Sequence, residues 1–281
     1  MLRSILLALD DTPGAATARD VAIALARCSG ARLTAASVLD LPHTRDAVEA
    51  VPPGASAFLE RRNEALARRA EEEAGAALAA FIAAAGDLPF ATLRLEDAPE
   101  PALQKAGARH DLLVIGRDST LGQEANEDGL APVIEHLLHR GARPLLVVPP
   151  RAEMADHDPD GPVLVGYDGS LPAMRALQLF ALLRPAGEAP VTVFTSDEDR
   201  PHAQALAGEA AEYLRGHGLA ATPLGVAGER PADLLLAEAA SARPRLVVMG
   251  AYETSGLRSF LLGSATRKLL RELACPVFVH R

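Results

Sequence analysis

An internal repeat constrains this chain more than any other feature. Ile5-Leu-Leu-Ala-Leu-Asp10-Asp-Thr12 parallels Val163-Leu-Val-Gly-Tyr-Asp168-Gly-Ser170. Asp111-Leu-Leu-Val-Ile-Gly116 parallels Arg245-Leu-Val-Val-Met-Gly250, and Arg143-Pro-Leu-Leu-Val-Val148 parallels Cys275-Pro-Val-Phe-Val279. Each member holds a short, continuous apolar run, the pattern of a parallel strand covered on both faces. The repeat therefore predicts two domains of like architecture, at 1–149 and 163–281, joined by a linker at 150–162 that is rich in Pro, Asp and Gly. The first half is longer by one segment, roughly Leu41–Arg61.

Between the apolar runs the period changes to that of helices. Ala18, Val21, Ala22, Leu25 and Ala26 share one face of a helix over about Gly14–Cys28. Ala55–Ala85 reads as a long alanine-rich helix with an ion-paired face, and Leu130–Arg140, Pro172–Leu183, Pro201–Gly216, Ala232–Ser241 and Ser264–Ala274 as further helices. Alternation of strand and helix calls for an α/β fold: two Rossmann-like domains, each with a parallel sheet and helices on both faces. Ligands of such sheets bind beyond the carboxyl ends of the strands, at the topological switch point. In the second half those ends carry Asp168, Ser196, Val226 and Gly250.

From Arg245 to His280 the chain reads as strand, glycine-punctuated loop, helix and strand. Ser264 is the expected N-cap of that helix. A glycine loop running into a helix N-terminus favours an anion, through open N–H groups and the helix dipole. Asp168-Gly169-Ser170 offers a carboxylate to a ligand, or alternatively caps the next helix. Tyr252 either lines the loop or packs on it, and Arg258, Arg267 and Lys268 either offset phosphate charge or are solvated.

Gly250, Gly256 and Gly263-Ser264, followed by a short helix and Cys-Pro-Val-Phe-Val, resemble the nucleotide loop of the universal stress protein family. The usual form of that loop is Gly-x2-Gly-x9-Gly-(Ser/Thr). Gly250, Gly263 and Ser264 match it, whereas Glu253 stands where the second glycine belongs. The resemblance implies a Rossmann-like (adenine nucleotide alpha-hydrolase-like) fold with five parallel strands per domain. It also implies a pseudo-dimer paired through the last strands, here Leu145–Val148 and Val277–His280, or a homodimer. For function it implies binding of ATP, AMP or ADP, with or without Mg²⁺, by a sensor or regulator of stress response. The residues carried over are Asp168, Gly169, Ser196, Val226, Gly250, Tyr252, Gly256, Gly263, Ser264, Ala265 and Thr266. Glu253 puts a negative charge near the phosphates. Either Gly256 takes over the backbone role, a divalent cation bridges, or the site is closed and the protein is a nucleotide-free interaction platform.

The first half keeps Asp10 and Gly116, but Leu130 replaces the Gly-Ser serine, and Glu124, Glu127 and Asp128 fill its loop. It is expected to be degenerate. Other classes are disfavoured. The net charge of −9 argues against nucleic acid. No P-loop, dinucleotide-fold glycine motif or nucleophile elbow is present. His136 and His139 lack further metal ligands, and no efficient catalytic group is identified beyond Glu253 as a weak base for ATP hydrolysis. Two cysteines and no apolar run of membrane length lead to an expectation of a cytoplasmic protein.

Overall fold

The computed structural model describes residues 1–40, 56–123, 129–154, 158–251 and 262–281, with side chains of the long helix described from 61 onward. In the first half the elements are β1 (Ser4–Leu9), α1 (Pro13–Ser29), β2 (Arg32–Val38), α2 (Ser56–Ala85), β3 (Phe90–Leu95), α3 (Pro99–Gly107), β4 (Leu112–Gly116), α4 (Pro132–Arg140) and β5 (Leu145–Val148). A 3₁₀ turn, Arg151–Met154, lies in the expected linker and buries Met154 in the core. The second half follows with β6 (Val163–Gly166), α5 (Leu171–Leu183), β7 (Val191–Asp197), α6 (Arg200–Gly216), β8 (Ala221–Ala227), α7 (Pro231–Ala242), β9 (Leu246–Gly250), α8 (Ser264–Glu272) and β10 (Val277–His280).

The strands form one sheet in the order β3-β2-β1-β4-β5-β10-β9-β6-β7-β8. Neighbours within each half are parallel; β5 and β10 meet antiparallel, with Leu146 opposite Phe278. The pairing through the last strands is thus made within one chain. The apolar runs lie where a strand is covered on both faces: β1, β4, β5 and β9 are buried throughout. The edge strand β3 alternates instead.

Two apolar layers cover the sheet. One takes Ala18 and Ala22 of α1, Phe81 of α2, Phe180 of α5 and Leu214 of α6. The other takes Leu103 of α3, Leu137 of α4, Leu235 of α7 and Leu269 of α8. Both run across the β5–β10 seam. No helix among the described residues is long and apolar enough to cross a membrane.

Reciprocal arginines lock the seam. Arg117, only 5% exposed, follows β4 and sends its guanidinium to the C-terminus of α8, donating to the carbonyls of Arg271 (2.7 Å) and Leu273 (3.2 Å) and pairing with Glu153. Arg281, after β10, donates to the carbonyl of His139 at the C-terminus of α4 (2.7 Å). A helix C-terminus leaves its last carbonyls without intrahelical donors and carries partial negative charge, so a cation there serves both needs. His136 meets Gln104 (3.1 Å), while Nδ1 of His139 faces Arg281.

Candidate functional site

The switch point of the second half lies between β6 and β9, because the chain leaves β6 toward β7 on one side and returns to β9 on the other. A cleft of about 260 Å³ opens there. Gly166, Tyr167 and Asp168 at the end of β6, Phe194 and Ser196 of β7, and Met249 and Gly250 of β9 form its strand side. Pro231, Ala232 and Leu235 of α7 and Ala265 and Leu269 of α8 form its helical side. Phe194, Leu235, Met249 and Leu269 make it apolar, with room for a flat ring system. Gly166 keeps it open: a Cβ there would stand 2.9 Å from Leu235 Cδ2.

Its polar groups are few. Ser196 Oγ is shielded from solvent and has no hydrogen-bond partner among the described residues. A buried hydroxyl with unused capacity is a ready contact for a ligand. Asp168 stands exposed at the rim, where its carboxylate accepts from the Ser170 amide (3.1 Å). Ser170 in turn caps α5, accepting from the Ala173 amide (3.3 Å). Asp168 therefore holds the turn and does not itself cap the helix. Desolvation by the cleft walls raises its pKa, and the Ser170 hydrogen bonds partly offset this. A carboxyl raised in the folded state stabilises the fold below its unfolded pKa, and that contribution is lost as pH rises through the folded pKa. Asp168→Asn is accordingly expected to leave stability at neutral pH unchanged or higher, and to flatten its dependence over the acid range. A loss at neutral pH in urea unfolding would contradict this.

Helix α8 starts differently from the expectation. Its N-cap is Gly263, with no side-chain cap, and the Gly263 carbonyl accepts from the Arg267 amide (3.0 Å). Ser264 is consequently the first helical residue, exposed beside Ala265. In that first turn the amides of Ser264 and Ala265 have no intrahelical acceptor.

Of the carried-over residues, Asp168, Ser196, Gly250 and Ala265 line the cleft. Gly263 and Ser264 head the adjoining helix. Thr266 is buried at 1% exposure. Val226 pairs with Ser196 in the sheet and packs on the second apolar layer. Gly169 takes φ +73° against Leu206. Tyr252, Glu253, Gly256 and Arg258 lie outside the described residues. Gly250 has a packing role besides: a Cβ on it would meet the Ala173 amide nitrogen at 2.4 Å. Arg267 pairs with Glu135 and Lys268 with Asp233, so neither is simply solvated. The apolar wall, Phe194, Leu235, Met249 and Leu269, carries no signal in the sequence beyond the strand and helix patterns to which these residues belong.

At the corresponding place in the first half, the described residues bond to one another. Asp10 Oδ1 accepts from the Thr12 amide and hydroxyl (3.0 and 2.7 Å), and Oδ2 accepts from the Leu121 amide (3.1 Å). Leu121 takes φ +51° and is 2% exposed, and Leu130, which stands where the second half has Ser264, is 1% exposed. Asp118 accepts from the Gly14 amide at the N-terminus of α1 (3.2 Å), and burial raises its pKa. The acidic residues Glu124, Glu127 and Asp128 lie outside the described residues.

Cys275, beside β10, is buried, and desolvation pushes its thiol up to about 12, which leaves it inert at neutral pH.

Comparison with known proteins agrees with this architecture. The profile described as "Universal stress protein family" matches residues 1–149 and 161–281. A universal stress protein of Synechocystis is 25% identical over 181 residues, 61% of this chain and 58% of that protein, so the match spans less than two thirds of the curated relative. The crystal structure of a universal stress protein from Archaeoglobus fulgidus shares the fold at a TM-score of 0.65 and 20% identity, covering 99% of this chain and 96% of that one. Another universal stress protein from Archaeoglobus fulgidus is in complex with dAMP; at a TM-score of 0.35 and 24% identity, over 43% of this chain and 98% of that one, the likeness is too slight to bear on this chain's ligand. With the family profile matching both halves in turn, the chain belongs to the universal stress protein family.

Proposed function

We propose that the second half binds an adenine nucleotide and that the first half does not, the chain acting as a nucleotide-responsive regulator in stress adaptation. One observation carries the reading: an apolar cleft at the β6–β9 switch point holds an unpartnered buried hydroxyl, Ser196 Oγ, with a carboxylate, Asp168, at its mouth. A base fits between Phe194, Leu235, Met249 and Leu269, with its polar edge toward Ser196. A ribose hydroxyl reaches Asp168, and phosphate lies toward the first-turn amides of α8, where the helix dipole favours an anion. Among the described residues of the first half, the Leu121 amide already holds the Asp10 carboxylate, which supports a first half without a ligand.

Calorimetric titration of adenine nucleotides into protein checked for co-purified nucleotide tests this. The expected stoichiometry is about one per chain; two would overturn the closed first half. Ala265→Trp places an indole at the helical wall from an exposed position. It is expected to weaken binding by at least about a hundredfold, more than 2 kcal/mol, with the thermal midpoint unchanged. Unaltered affinity in that variant, or no binding by the native chain up to millimolar nucleotide, would sink the assignment; the latter outcome would favour an interaction platform.

A further inference from the structure

The charges around the cleft say which adenine ligand suits it. Asp168 has no cationic partner among the described residues. The two basic side chains in the first turns of α8 are each matched by an acid from another helix: Lys268 by Asp233 of α7, and Arg267 by Glu135 of α4. Arg230 also approaches Asp233, at 3.5 Å, but is 86% exposed and screened by solvent. Of the described residues lining the cleft only Asp168 is charged, and the described cations Arg230, Arg267 and Lys268 on the flanking helices each already face a carboxylate. Among the described residues, what remains for an anion is the N-terminus of α8, equivalent to about half a charge. That suits one phosphate and does not suit three, each of which adds negative charge beside Asp168.

We infer, resting on the adenine-nucleotide reading above, that this cleft selects the nucleoside end of its ligand and binds adenosine and AMP more tightly than ATP when no divalent cation is present. Recognition comes from the apolar walls and Ser196, and phosphate is tolerated, not sought. The Lys268–Asp233 pair bridges the two helices that form the cleft's helical side, so the Lys268 ammonium is engaged in helix packing.

The test is calorimetric titration of adenosine, AMP and ATP in metal-free buffer at about 50 mM and about 500 mM NaCl, across which surface electrostatics are largely screened out. AMP is expected within about threefold of adenosine, and ATP about tenfold weaker than AMP at low salt, with the gap closing as salt rises. Asp233→Asn, which releases Lys268, is expected to tighten ATP several-fold while leaving adenosine unchanged. ATP binding tighter than AMP, and weakening with salt, would overturn the inference while leaving the adenine site in place. An unchanged ratio of ATP to adenosine affinity in Asp233→Asn would overturn the neutralisation of Lys268. If none of the three ligands binds, the adenine reading itself falls, and this inference with it.

Discussion

Gly250→Ala is expected to destabilise the protein by about 3 kcal/mol, the upper range for forcing a methyl into a packed site. The new Cβ would stand 2.4 Å from the Ala173 nitrogen and 2.6 Å from the Pro172 carbonyl carbon. Both are backbone atoms in the first turn of α5, so no side chain can rotate away. Gly116 repeats the situation in the first half, where a Cβ would meet the Ala15 nitrogen at 2.4 Å and the Gly14 carbonyl carbon at 2.6 Å. Gly116→Ala should therefore cost a similar amount. Gly208, inside α6, has nothing within 4 Å of an added Cβ; alanine there is expected to stabilise by about 0.5–1 kcal/mol. Urea unfolding of the three variants separates the explanations. If Gly250→Ala and Gly116→Ala were as mild as Gly208→Ala, close approach of helix to strand would not be what these glycines serve. In the second half the same approach fixes the backbone of Gly250, which lines the cleft.

Arg117→Met should cost about 3 kcal/mol, because it strands buried carbonyl groups at the C-terminus of α8 without donors. Arg117 is the larger partner in its network. Glu153 is half-exposed, and Glu153→Gln is expected to cost less than about 1 kcal/mol. Arg117→Lys should recover only part of the loss, since an ammonium cannot reproduce the planar fork whose Nη1 donates to the Arg271 and Leu273 carbonyls while Nη2 meets Glu153. Because α8 also carries Ala265 and Leu269, Arg117→Met is expected to weaken ligand binding as well as the fold. Thermal unfolding and nucleotide titration of the three variants would show it. A loss in Glu153→Gln equal to that in Arg117→Met would mean that the ion pair, not the helix cap, holds the seam.

The strands, most helix spans and the division into two like halves were legible in the residues alone. Burial on both faces demands an unbroken apolar run, and a helical face demands a 3.6-residue period, and both are properties of contiguous sequence. That Asp168 and Gly250 stand at strand ends was legible for the same reason, since each terminates an apolar run; that their strands are neighbours at the switch point came from the sheet. The meeting of β5 with β10 came from family resemblance, since nothing local in Leu145–Val148 names its partner.

Only the tertiary structure decided the rest. Arg117 directly follows an apolar run and precedes polar residues in the sequence, yet it is buried because a helix C-terminus from the other half of the chain arrives over it. Lys268 and Arg267 read as phosphate partners or solvated cations; the packing of α7 and α4 against α8 gave them carboxylates first. Leu121 stands among polar neighbours in the sequence, yet it is buried with its amide on Asp10. In each case the deciding contact joins residues far apart in sequence, and its energy depends on desolvation and on an acceptor's position. Neither of these is encoded in the spacing of residue types along the chain.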